Sequence, residues 1–291
     1  MLVFNLMVFS AETAITAKYR ITIRNNTMKP VNMRSFTRDA FVAAATNPNA
    51  VTGAIKTPSM TVNPVVIAIK NQSTVITDAQ LTPAVAAVQV QVSRDWFPIW
   101  RTTATIIQLT KTQPIPAGAW PIYILDNSNV AGALGYHDES TGVPYGRVFV
   151  KTCQQYGLSW TVTLSHELLE MLGNPNINLT VFRQPAVGNT GSIYFFEVGD
   201  PCQNDTMGYM INGVKVSDFA TPAFFDDSMK SVPGTKFDYC GYLTGPFVIG
   251  SGGYLSVFNV SKGSGWTTLT TGNVVVPEES YDPAGRVRPE R

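Results

Sequence analysis

The sequence predicts an α+β fold, in which a mixed or antiparallel sheet packs against one strongly patterned helix. Short apolar runs and segments with period-two alternation, which are typical of strands, recur along the chain. A stretch over 159–172 carries apolar residues on both flanks and ends in Gly-Asn-Pro, which predicts a buried helix. The remainder is rich in turns and loops. These observations favour segregated helices and strands over a regular alternation of the two.

The elements follow in order. The alternation over 17–24 and the apolar run over 65–69 predict two strands. Thr77-Asp78 predicts the cap of a helix that runs to about residue 92. Strands are expected over 103–109, 120–125 and 147–150, with a glycine-containing loop over 135–138 before the last of them. Beyond the helix over 159–172, short strands are expected over 192–198, 209–216, 247–249 and 254–258.

This order divides the chain into four segments. We expect a β-rich N-terminal region or arm over 1–75 and an N-terminal subdomain over 76–175, which holds the strongest helix. A loop-rich C-terminal subdomain follows over 176–276. An extended, charged tail over 277–291 completes the chain.

The scarcity of charge limits the classes of function. Charged residues make up 14% of the 291 residues, and the net charge is +1 without a basic block, which argues against nucleic-acid binding. No apolar stretch approaches the roughly 20 residues that span a bilayer. A polar, nearly neutral surface suits packing against other proteins, so we expect subunits of an assembly, or further copies of the chain, as partners.

Cysteines and the first residues bear on the compartment. Cys153, Cys202 and Cys240 are three cysteines at wide, irregular spacing, which is not a disulfide framework. We expect three reduced, mostly buried thiols, with one bridge plus a free thiol as the alternative. The apolar run over 1–9 lacks the basic residues that precede a signal-peptide core. We therefore expect no signal peptide and a location in a virion or in the cytoplasm.

The helix over 159–172 carries the chemistry. His166 and Glu170 are four residues apart, so both side chains lie on one face and can bind one metal ion. Glu167 lies about 100° further round the helix, where a carboxylate can take a proton from metal-bound water. This is the logic of the zinc-peptidase motif His-Glu-x-x-His with glutamate as the second ligand. The alternative is a helix whose glutamates face solvent and whose histidine is incidental.

Further ligands are sought outside the helix. Glu197 and Asp200 are acidic residues in a charge-poor stretch about thirty residues downstream, and either completes a metal site. The alternative is that Asp200-Pro201 only starts a turn. His137, the second of two histidines, precedes the strand that leads to the motif helix and is a candidate catalytic residue beside Glu167. The expected ion is Zn²⁺, with Ca²⁺ or no metal as alternatives, because an added carboxylate favours harder ions.

Taken together, the chain over about 92–258 resembles a zincin-like metallopeptidase family of bacterial and phage genomes. The resemblance is carried by residues 94–100, 135–138, 142–144, 148–150, 165–172, 197–201 and 216–219. It implies a zincin-like core with His166 and Glu170 at the metal position and Glu167 at the base position. It also implies a downstream acidic pair, which Glu197 and Asp200 match. The chain departs from the pattern at Asn174, where similar sequences carry aspartate before proline.

Two functions follow. The first is a metal-dependent hydrolase acting on peptides, with a degenerate His-Glu-x-x-Glu site, inside a larger assembly such as a virus particle. The alternative is a non-catalytic virion structural protein, a capsid, tail or decoration component that reuses the fold and keeps the metal as a staple. A third reading, a sugar-binding β-module, rests only on the aromatic residues Trp96, Trp100, Trp120 and Trp266, which are better explained as core residues.

Overall fold

The structure is a computed structural model that describes residues 64–130, 132–183, 191–260, 266–271 and the backbone of 275–277. All of these belong to Asn63–Arg291, the second of two units into which the chain divides. The strand expected over 17–24 and the tail beyond residue 277 lie outside the described residues. Within the described part, helices and sheets are both present, so the α+β prediction is confirmed.

The first sheet has five strands in the order β2-β1-β3-β5-β4. They are β1 Val65–Asn71, β2 Ala104–Leu109, β3 Trp120–Leu125, β4 Gly135–Ser140 and β5 Val143–Phe149. Four strands run parallel, and β4 pairs antiparallel with β5 at one edge. In β1 the consecutive residues Ile67, Ala68 and Ile69 are all fully buried, as in a strand covered on both faces. The sheet is therefore mixed, with its buried centre at β1 and β3.

Four α-helices accompany this sheet: α1 Asp78–Val90, α2 Phe97–Trp100, α3 Val150–Gln155 and α4 Trp160–Gly173. The predicted cap of α1 is confirmed, because the Gln80 amide donates to Thr77 Oγ1 while Gln80 Oε1 accepts from the Thr77 amide. A π-helical turn, Gln91–Trp96, joins α1 to α2. Helix α4, predicted over 159–172, packs on β4 and β5 and forms the centre of the largest apolar cluster.

A second sheet follows in the order β12-β11-β10-β7-β6, with every neighbouring pair antiparallel. Its strands are β6 Thr180–Arg183, β7 Ser192–Phe195, β10 Tyr254–Asn259, β11 Trp266–Thr270 and β12 Val275–Pro277. A separate hairpin is formed by β8 Tyr209–Ile211 and β9 Val214–Val216. Short 3-10 turns lie at Asp200–Cys202, Pro222–Phe225 and Asp227–Ser231.

Three local predictions are wrong. Residues 135–138 form most of β4 rather than a loop, because β4 pairs with β5 across a turn at Thr141 and Gly142, both with positive φ. The single strand expected over 209–216 is a hairpin, since Asn212 and Gly213 adopt positive φ and reverse the chain. No strand covers 247–249, because Phe247 has a φ of 56° and turns its ring into the second apolar cluster.

The strand predicted over 147–150 is β5, which begins at Val143 and ends at Phe149, because Val150 is the first residue of α3. All three cysteines are free thiols, as expected. Cys153 and Cys202 are buried and Cys240 is half-buried.

Candidate metal centre

Helix α4 supplies three acidic or imidazole side chains to one buried site. Residues 162–172 are buried without interruption, because the helix has neighbours on both flanks. The expected pairing of His166 with Glu170 across one turn is present, with His166 Nε2 3.1 Å from Glu170 Oε2. Glu167 is fully buried beside them. The motif residues therefore face the interior rather than solvent.

Strand β4 brings His137 to the same place. Alternation along the strand buries Gly135 and His137 and leaves the residues between and after them less covered. His137 Nδ1 lies 3.5 Å from Glu167 Oε2 and 3.5 Å from Glu170 Oε2. The other histidine of the chain thus contacts both glutamates of the motif helix.

The segment after β7 adds two carboxylates. Asp200 Oδ1 lies 3.3 Å from His166 Nε2, whereas Glu197 Oε2 lies 3.9 Å from His137 Nε2. Both residues are at most 5% exposed. On the sequence alone Glu197 and Asp200 are equivalent candidates for the third metal ligand. In the structure, Glu197 approaches His137 and Asp200 approaches His166.

Two glycines permit these close approaches. A Cβ atom on Gly199 would lie 2.5 Å from His166 Nδ1, and its amide donates to Glu170 Oε1 at 3.2 Å. A Cβ atom on Gly135 would lie 2.6 Å from Thr163 Cγ2, between β4 and α4. Sequence reasoning named neither glycine as a site residue. The available signal was their position, each within two residues of a candidate ligand.

The ligand atoms fall into two sets. The His166 set comprises His166, Glu170 and Asp200, and the His137 set comprises His137, Glu167 and Glu170. Within each set the ligand atoms lie within 4.8 Å of one another, and every member is buried. Zinc bonds of about 2.0–2.1 Å at tetrahedral angles place two ligand atoms roughly 3.3 Å apart. The separations of 3.1, 3.3 and 3.5 Å between histidine nitrogens and carboxylate oxygens match this spacing.

The balance of charge within the cluster also favours a cation. Four carboxylates, those of Glu167, Glu170, Glu197 and Asp200, share a buried volume with two imidazoles. Even with both imidazoles protonated, ionised carboxylates leave the six groups negative as a whole. Buried charge is costly unless it is paired or coordinates metal. The donor set therefore fits a divalent ion.

A pocket of about 200 Å³ adjoins this region. Its lining includes His166 together with an apolar wall of Leu134, Leu158 and Val162 and a polar wall of Gln203 and Asp205. His166 is thus shared between the ligand cluster and the pocket. A small molecule or one side chain of a peptide fits a space of this size.

Asn174 has a structural role at the end of α4. Its Nδ2 donates to the Phe196 carbonyl at 3.2 Å, and its Oδ1 accepts from the amides of Asn178 and Leu179 at 3.1 Å. Donation and acceptance together require an amide, which aspartate cannot replace when ionised. The Asn174 amide therefore secures the end of α4 and the loop after it.

Among the described residues, no helix combines the length and apolar character that crossing a membrane requires. Comparison with known protein families, with curated proteins and with solved structures gave no match for this chain.

Proposed function

We propose that this chain is a metal-dependent hydrolase of peptides, with a divalent ion held by His166, Glu170 and Asp200. The observation that carries the proposal is the position of His166 Nε2, 3.1 Å from Glu170 Oε2 and 3.3 Å from Asp200 Oδ1. These are ligand-to-ligand spacings, and all three residues are buried. Zn²⁺ is the first candidate, since it accepts histidine nitrogen and carboxylate oxygen at such spacings.

The chain's own residues divide the chemical work. A bound ion polarises a carbonyl and makes bound water more acidic. Glu167, next to His166 in the helix, takes the proton from the attacking water. His137 Nδ1 lies 3.5 Å from Glu167 Oε2, so it orients this carboxylate and can pass the proton to the leaving amine.

Peptides are proposed as substrates for two reasons. Within the described sheet, β4 is the edge strand next to α4, and an extended peptide can pair with such an edge. The pocket beside His166 offers Leu134, Leu158 and Val162 to an apolar side chain. The resemblance to zincin-like metallopeptidases agrees with this substrate class.

We expect Glu167→Gln to lower hydrolysis of a peptide library at least about 100-fold, because glutamine cannot take the proton. The ion in the His166 set stays bound, as elemental analysis of the purified variant will show. Glu139→Gln is the matched control. Glu139 lies on β4 and its Oε2 accepts from the Gly142 amide, and it belongs to neither ligand set, so activity should stay unchanged. A wild-type protein that binds no divalent metal contradicts the proposal.

The burial of the ligands favours a second candidate, a structural component of an assembly in which the ion acts as a staple. His137, His166, Glu167 and Glu170 are at most 1% exposed, which suits a closed structural site. On this proposal the metal-loaded wild type hydrolyses no member of the library, while chelation lowers the melting temperature. Hydrolysis that depends on both metal and Glu167 rules this candidate out.

A further inference from the structure

The two ligand sets meet at a single carboxylate. The His166 set and the His137 set have Glu170 in common and no other member. Each set offers one histidine nitrogen and two carboxylate oxygens. Each is therefore a three-ligand site of the kind that leaves positions open for water or substrate.

Glu170 faces both sets with the same atom. Its Oε2 lies 3.1 Å from His166 Nε2 and 3.5 Å from His137 Nδ1. Its Oε1 accepts the Gly199 amide at 3.2 Å, which fixes the orientation of the carboxylate. A carboxylate oxygen has two lone pairs, so Oε2 can bind one cation on each side.

His137 has the arrangement of a metal ligand. Its Nδ1 points to the His137 set, and its Nε2 lies 3.9 Å from Glu197 Oε2. Histidines that bind metal commonly turn the other ring nitrogen to a carboxylate, which fixes the tautomer and ring orientation. At 3.9 Å, beyond hydrogen-bond distance, Glu197 places a negative charge beside His137 Nε2.

Charge favours two cations over one. With both histidines neutral, as metal binding requires, Glu167, Glu170, Glu197 and Asp200 carry four negative charges when ionised. One divalent ion balances half of this charge and two balance all of it. The cluster is buried, so the balance carries more energy than it would at the surface.

We propose that the site binds two divalent ions bridged by Glu170, one in the His166 set and one in the His137 set. The first ion is that of the proposed function, on which this inference rests. A second ion would be held by Glu167 and His137, so these two residues act as base and proton carrier only where the His166 set alone is filled, and as ligands where both sets are filled. Paired ions clamp the attacking and leaving groups of a displacement and occur in aminopeptidases, phosphatases and nucleases.

Metal stoichiometry tests the inference. The full chain is stripped with chelator, loaded with Zn²⁺ or Mn²⁺, desalted and measured by elemental analysis. We expect two ions per chain in the wild type, one in His137→Gln and one in Asp200→Asn. Glu170→Gln should retain fewer than one, since both sets lose a ligand. Glu139→Gln, the control outside the cluster, should keep two.

Electron paramagnetic resonance of the Mn²⁺-loaded wild type gives a second readout, which needs no variant to fold. A magnetically coupled pair is expected, and one ion per chain with an uncoupled signal overturns the inference. In that case the proposed function survives if hydrolysis still depends on the single ion and on Glu167. A wild type that binds no ion overturns both proposals.

Discussion

His166 meets different neighbours at its two ring nitrogens. Nε2 faces Glu170 and Asp200, while Nδ1 lies against the backbone of Gly199. The imidazole is therefore held by packing on one side and presents one nitrogen to the ligand cluster. A ligand fixed in this way loses little freedom when it binds metal.

We expect Gly199→Ala to lower metal affinity about 10- to 100-fold, the range seen when support around a ligand is disturbed. The added Cβ would lie 2.5 Å from His166 Nδ1, so the imidazole must move away from Glu170 and Asp200. Competition with a chromogenic chelator measures the change. Gly173→Ala is the control, because its Cβ meets nothing closer than 3.5 Å. Equal affinities in the two variants would show that His166 tolerates the displacement.

At the scale of elements, the π-helical turn Gln91–Trp96 contacts α4 next to the ligand His166. Gln91 Oε1 accepts from Ser165 in α4, and Gln91 Nε2 donates to the Ser217 carbonyl. One turn on, Asp95 accepts from Tyr209 and Tyr239, each at 2.8 Å. Burial alone raises the pKa of Asp95, but hydrogen bonds from Arg94, Tyr239 and Tyr209 outweigh it and hold the pKa low. The π-helical turn thus joins α1, α4 and the β8–β9 hairpin through polar groups.

We expect Asp95→Ala to lower the free energy of unfolding by about 3 kcal/mol, because two tyrosine hydroxyls lose their buried acceptor. The control is Asp227→Ala. Asp227 pairs with Arg183, but the two side chains are 40% and 27% exposed, so the loss should stay below about 1 kcal/mol. Urea unfolding at neutral pH gives both values. A loss for Asp95→Ala as small as the control's would mean that water replaces the carboxylate.

Helices and strands are predicted from the sequence more accurately than the contacts between residues of different elements. Helix α4 is predicted to within one residue at each end, because its apolar residues surround it and Asn174-Pro175 ends it. The strand character of 135–138 escaped prediction, since a four-residue alternation that includes glycine is a weak signal. The division of Glu197 and Asp200 between two histidines is set by docking of the second sheet's loop on α4. No spacing along the chain reports that docking.

At the scale of the whole molecule, a pair of buried carboxylates links stability to pH. Asp238 accepts three backbone amides, those of residues 241–243. Burial, together with the hydrogen bond and the charge of Asp238, raises the pKa of Asp218 to about 8. At neutral pH Asp218 is therefore mostly protonated.

Because this pKa is higher in the folded chain than the ordinary value of about 3.9, folding binds a proton between about pH 4 and pH 8. The contribution of Asp218 to stability is complete below pH 4 and is lost as pH rises to about 8. Its slope is at most about 1.4 kcal/mol per pH unit. Asp218→Asn, which mimics the neutral acid, should reduce the fall in stability from pH 5 to 8 in urea unfolding.

Asp126→Asn is the control for this slope. Hydrogen bonds from Ser73 and Thr74 overcome the effect of burial and lower the pKa of Asp126 to about 2. Its contribution is lost only as pH falls below about 4, so the variant should keep the wild-type slope between pH 5 and 8. Parallel curves for wild type and Asp218→Asn would show that Asp218 titrates outside this window.

The composition of the ligand cluster also bears on the order in which contacts form during folding. Its members come from β4, from α4 and from the segment after β7, so Asp200 reaches His166 only after a loop of more than thirty residues has closed. Such non-local closure costs loop entropy before its contacts form, so it comes late when a chain folds. Metal capture would therefore mark the completion of folding, and departure of the segment that bears Asp200 would open a route for the ion's escape.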